Sequence, residues 1–130
     1  MLRKMLRAKI HRATITQCDP DYVGSITIDA DLLRASGIRP NEAVLVCDMD
    51  NAARFETYVI YGEPGSGIIG INGAAAKLVG VGHRVIIMAF GFLQDAAVED
   101  HVSNVVVADE RNRVGRTLRY DSRLEETAGV

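Results

Sequence analysis

A mainly β fold, built as a small sandwich or closed barrel, is what three features of the sequence predict. Short runs rich in β-branched residues recur along most of the chain, and turn clusters such as DMDNA and GEPGSG separate them. Only one segment carries both helix-start and helix-stop signals. The length of 130 residues suits a single hydrophobic core.

The elements follow in order. Residues 5–16, MLRAKIHRATIT, interleave apolar and polar side chains as a strand of period two does, which sets Lys9 and His11 on one face. QCDPDY reads as a polar loop with Pro20 as its turn signal, and GSITI as a short strand. Gly24 and Ser25 stand at that strand's entrance, where strand-forming side chains would be preferred. Asp29 suits the N-cap of a short helix, DADLLRAS, and Gly37 is placed to end it. AVLVCDM, RFETYVIY, GIIGI, HRVIIMAFGF and NVVVAD are further strands, with NGAAAKLVG able to form one helical turn. From Asp109 onward five arginines and five acids accompany few apolar residues, so residues 109–130 are expected as a flexible, disordered tail beyond a barrel of residues 1–108.

Apolar residues at 48% and charged residues at 25% place the chain among soluble proteins. No apolar run approaches the ~18 residues that span a bilayer, and charge interrupts the N-terminal stretch too often for a secretory h-region. A cytoplasmic protein without a membrane partner is expected. A net charge of −2 gives no reason to propose a nucleic-acid partner, although residues 1–24 carry five basic residues against two acidic ones. The first strand is thus locally cationic: a solvated face balanced by acids elsewhere, or an anion-binding wall. Cys18 and Cys47 lack metal-ligand or disulfide-scaffold spacing, so two plain thiols and no metal are expected.

A glycine before a serine frees the backbone and leaves the glycine carbonyl open to the neighbouring hydroxyl. The dipeptide alone is common in turns. Here it keeps company with MLRAKIH before it, and with RFETY and GSGIIGINGAAA after it. Together these segments resemble the aspartate 1-decarboxylase family over roughly residues 1–95. The resemblance implies a double-psi β-barrel, assembled as a homotetramer with sites between subunits. It also implies self-cleavage between Gly24 and Ser25, yielding residues 1–24 and 25–130, with Ser25 becoming a covalent pyruvoyl group. That cofactor would form a Schiff base with L-aspartate and release CO₂ and β-alanine, the latter for pantothenate biosynthesis.

Site roles follow from the same resemblance. Tyr58 stands where the family's proton donor stands, and Thr57 where a hydroxyl assists cleavage at the Gly24 carbonyl and then belongs to the substrate-binding set. Asn72, Gly73, Ala74 and Ala75 match the substrate-binding turn, whose small side chains expose backbone N–H groups. Lys9 and Arg54 are the candidates to hold carboxylates, and His11 lies beside Lys9 to polarise the site or fill a polar pocket. Strand alternation puts Thr57 and Tyr58 on opposite faces, a conflict that a bulge, twist or subunit boundary would resolve. Two other readings stay open: a pyruvoyl enzyme for another acidic amino acid, glutamate first, and a swapped-hairpin barrel that regulates transcription by binding DNA.

Overall fold

The computed structural model describes residues 1–125. Its strands are β1 (Leu2–Thr14), β2 (Gln17–Asp19), β3 (Ser25–Asp29), β4 (Ala43–Asp48), β5 (Arg54–Gly62), β6 (Ile69–Asn72), β7 (Arg84–Gln94), β8 (Val102–Ala108) and β9 (Val114–Asp121). Two short helices, α1 (Ala30–Ser36) and α2 (Asp95–Val98), and a 3-10 turn at Ala74–Lys77 complete it. None of the described helices is long and apolar enough to cross a membrane.

The strands form one sheet in the order β2-β6-β3-β5-β4-β7-β1-β8-β9. Just past β1, the Thr16 N–H donates to the Ile69 carbonyl at 2.8 Å, and Thr16 Oγ1 accepts the Ile69 N–H at 3.0 Å. This contact brings the chain just past β1 back beside β6, in keeping with the small barrel expected from the sequence. Alternation supplies the interior: Ile10, Ile26, Ile28, Val46, Ile71 and Ile87 are fully buried. Each contributes about 1.5–3 kcal/mol by leaving water.

The helix signals act where expected. The Asp29 carboxylate accepts the Asp31 N–H at 2.8 Å, and Gly37 closes α1 at φ 81° with its N–H on the Leu33 carbonyl. Asp29 also accepts the Gly65 and Gly67 N–H groups, tying the β5–β6 turn to the helix start.

Two expectations need correction. The segment QCDPDY is not loop throughout, because Gln17–Asp19 pairs in parallel with β6 as β2. The expected tail does not begin at Asp109: residues 114–121 form β9, antiparallel to β8. Composition misled because β9 is held by backbone hydrogen bonds to the edge of β8 and by its turn, rather than by apolar burial. Asn112, at φ 60°, is buried in that turn; its amide accepts the Thr14 N–H and donates to the Thr14 and Gly67 carbonyls at 2.7–2.8 Å. The Asp109 carboxylate accepts the Arg111 and Arg113 N–H groups, which holds its pKa below the ordinary value. The last five residues of the expected tail lie outside the described residues.

Candidate active site

Antiparallel pairing of β3 with β6 sets Ser25 directly opposite Asn72. Both are nearly sealed, at 1% and 3% exposure, whereas Tyr22, Val23 and Gly24 just before them are exposed. The Ser25 hydroxyl donates to the Val23 carbonyl at 3.0 Å and accepts an Asn72 Nδ2–H at 2.9 Å. The second N–H of Asn72 goes to Thr27 Oγ1 at 3.1 Å. A buried, oriented hydroxyl thus follows a peptide that lies at the surface.

Gly73 shapes the same corner. It holds φ 81° and ψ −156°, a region open to glycine alone, while its N–H donates to the Asp19 carbonyl at 2.8 Å. A β-carbon there would lie 2.5 Å from the Gly24 Cα, so a larger residue would displace the Gly24–Ser25 bond. Ala74 and Ala75 continue into the 3-10 turn, Ala74 exposed and Ala75 half-buried.

The parallel pairing of β3 with β5 matches Ile26 to Val59. One residue earlier on each strand, Tyr58 reaches the level of Ser25, on the partly exposed face of β5. Arg54 is exposed at the start of β5, opposite Cys47. Pairing of β4 with β5 is unbroken from Arg54 to Tyr58, so no bulge turns Thr57 toward the face of Tyr58. Among the described residues, no hydrogen bond joins Thr57 to Gly24 or Ser25.

Lys9 and His11 are carried by β1 and share a face, as period two requires. Lys9 Nζ lies 5.9 Å from the Tyr120 ring centroid, so a residue of the supposed tail flanks the cationic wall. Burial lowers the pKa of His11, and the neighbouring Lys9 and Arg12 charges lower it further. Its Nδ1 is buried without a hydrogen-bond partner among the described residues. One chain therefore gathers Gly24, Ser25, Asn72, Gly73, Ala74 and Ala75, with Tyr58 level with them. No hydrogen bond or ion pair joins Lys9, His11 or Arg54 to Ser25 within the described chain.

Sequence reasoning missed Thr27, although it stands two residues beyond Ser25, the spacing that returns a strand to the same face. It also missed Tyr120, hidden in a segment whose composition reads as solvated. A cavity of about 790 Å³ shares no residue with the Ser25 cluster; Arg12, Arg84, Arg111 and Arg113 line it with Asp109 and Glu110. Asp48, Asp50 and His83 bring metal-ligand atoms within 4.8 Å of one another. Internal bonds account for that grouping: His83 Nδ1 pairs with Asp48 at 2.6 Å, and Asp50 accepts the Arg84 N–H.

Comparison with known proteins bears on this geometry. The family model described as aspartate decarboxylase matches residues 1–115. An aspartate 1-decarboxylase from Listeria monocytogenes serovar 1/2a (strain ATCC BAA-679 / EGD-e) is 51% identical over 118 residues, covering 91% of this chain and 93% of that relative. The match runs through β3, β5, β6 and the turn after β6, the elements that carry the Ser25 cluster. The chain belongs to the aspartate decarboxylase family.

Proposed function

We propose that this chain converts L-aspartate to β-alanine and CO₂ after cleaving itself between Gly24 and Ser25. The observation that carries the reading is the Ser25 hydroxyl, buried and oriented by Asn72 directly after an exposed glycine peptide. Attack of Ser25 Oγ on the Gly24 carbonyl carbon turns the amide into an ester and leaves the hydroxyl proton on the freed nitrogen. Removal of the Ser25 α-proton then expels the Gly24 carboxylate and leaves a dehydroalanine at residue 25. Its hydrolysis consumes one water, loses ammonia and yields a pyruvoyl group. Thr57 is read as the hydroxyl that steadies the oxygen of the Gly24 carbonyl as charge develops there.

The corner fits a carbonyl-bearing N-terminus at residue 25: Asn72 faces it, Gly73 leaves room beside it, and Tyr58 is level with it on the adjoining strand. The pyruvoyl group supplies an electron sink for the pair released with CO₂. Arg54 grips one substrate carboxylate through paired N–H groups, and Lys9 offers the other a point charge. His11 polarises the same site, and the Asn72–Ala75 turn presents backbone N–H groups to the substrate. Tyr58 returns a proton to the carbon that CO₂ leaves, its phenol O–H acting as general acid. Thr57 and Tyr58 then serve two faces at a boundary between subunits of a homotetramer, where Lys9, His11 and Arg54 also converge. A cytoplasmic role in supplying β-alanine for pantothenate completes the reading.

The test combines intact mass with product formation. Purified protein is expected as two masses, for residues 1–24 and for residues 25–130 with a pyruvoyl terminus, and it forms β-alanine in proportion to its carbonyl content. A single uncut mass with undiminished aspartate turnover would refute the self-processing step.

A further inference from the structure

We infer that Thr27 is a positioning residue for self-cleavage, holding the Asn72 side chain in the orientation that donates a hydrogen bond to Ser25. The inference rests on the self-processing reading and deepens it. Ser25 and Thr27 are two apart on β3, so both hydroxyls reach the single amide presented by Asn72 across the antiparallel pair. An amide NH₂ has two N–H groups in a fixed planar fork. One meets Ser25 Oγ at 2.9 Å and the other Thr27 Oγ1 at 3.1 Å, so the pair together fix the rotation of the amide.

The network also decides which end of the amide faces the nucleophile. The Ser25 hydroxyl spends its only proton on the Val23 carbonyl at 3.0 Å, so toward Asn72 it can act only as acceptor. Nδ2, not Oδ1, must therefore face Ser25, and Thr27 accepts the remaining proton. An N–H aimed at Oγ stabilises the negative charge that grows there as the hydroxyl proton leaves. In the step itself the Oγ–carbonyl carbon bond forms, the Gly24–Ser25 C–N bond breaks, and the proton ends on the nitrogen of residue 25. Without the Thr27 hydroxyl, the second N–H of a nearly buried amide is left unpaired. Rotation that relieves it turns the N–H away from Ser25 or brings Oδ1 against Oγ, acceptor against acceptor.

Thr27→Val keeps the branched shape and strand propensity and removes only the hydroxyl. Purified and followed by intact mass, it is expected to cleave about 3- to 10-fold more slowly than wild type, the worth of one hydrogen bond. Thr27→Ser, which restores the hydroxyl, should recover the rate. In an Asn72→Ala background Thr27→Val should cause no further slowing, because Thr27 acts through Asn72. Thr27→Ala serves the same comparison should the valine variant fold poorly. Wild-type cleavage by the folded valine or alanine variant would overturn the inference alone, as would equal slowing by valine with and without Asn72. A wild-type chain that never cleaves would overturn it together with the reading on which it rests.

Discussion

Asn72 and Asn112 are both almost fully buried, at 3% and 2% exposure, and they sit near opposite ends of β6. Asn112 bonds only to backbone: it exchanges two hydrogen bonds with Thr14 and donates a third to the Gly67 carbonyl, standing in for a missing strand. Asn72 bonds through Nδ2 to two hydroxyls, one of them the proposed nucleophile. The cost of burying an amide is the same in both places, and it is met by different partners. Backbone partners fix the fold. Hydroxyl partners instead hold the amide toward the proposed nucleophile.

The largest effects should fall on the Asn72 side. Ser25→Ala removes the nucleophile and one partner of Asn72, so cleavage should be abolished while stability changes by only about 1 kcal/mol. Intact mass beside a thermal melt checks both halves. Collapse of the fold would show that the Ser25–Asn72 bond is structural in the way of Asn112. Tyr58→Phe comes next, since the ring and its packing remain while the proposed proton source is lost. Cleavage should proceed, and β-alanine formed per pyruvoyl should fall by about 10²–10⁴-fold, the usual worth of general acid catalysis. An uncleaved Tyr58→Phe chain would move the residue into the processing step.

Asn112→Ala tests the other side. It leaves the Thr14 N–H and C=O and the Gly67 C=O without their partner and places alanine at φ 60°, where a β-carbon is strained. The expected loss is about 3 kcal/mol, seen as a fall in Tm of about 10 °C for a domain of this size. Cleavage of the chains that stay folded should keep its rate. Slowed cleavage at an unchanged Tm would erase the distinction between the two asparagines.

That distinction shows what was legible in the sequence. Period-two runs, the Asp29 cap and Gly37 were legible because each depends on neighbours within a few residues. Gly24, Ser25, Asn72 and Gly73 were legible through their joint resemblance to a family. Asn112 was not, because its partners Thr14 and Gly67 are 98 and 45 residues away and nothing local marks such a bond. β9 was lost for the same reason: its hydrogen bonds belong to the edge of β8, which composition cannot see. The Thr57–Tyr58 conflict was stated correctly from alternation, and the unbroken β4–β5 register removes the bulge as its resolution.

His11 supplies a third kind of buried polar atom, one with no partner in the described chain, and the smallest expected effect. Burial, helped by Lys9 and Arg12, holds its pKa below the ordinary 6.5, so the unfolded chain takes up this proton more readily than the folded one. Stability linked to His11 is therefore fully present above the unfolded value, and it is lost as the pH falls through the lowered folded value. Between pH 7.5 and 5, with ordinary histidine titration near ~6.5, the melting temperature of wild type should fall more steeply than that of His11→Asn, which cannot charge. The contrast is cleanest in a Ser25→Ala background, where neither cleavage nor bound product alters the melt. Parallel curves would mean that His11 meets a carboxylate in the assembled protein. The open Nδ1 would then belong to a neighbour's contact, and only the two asparagines would remain as the cases to compare.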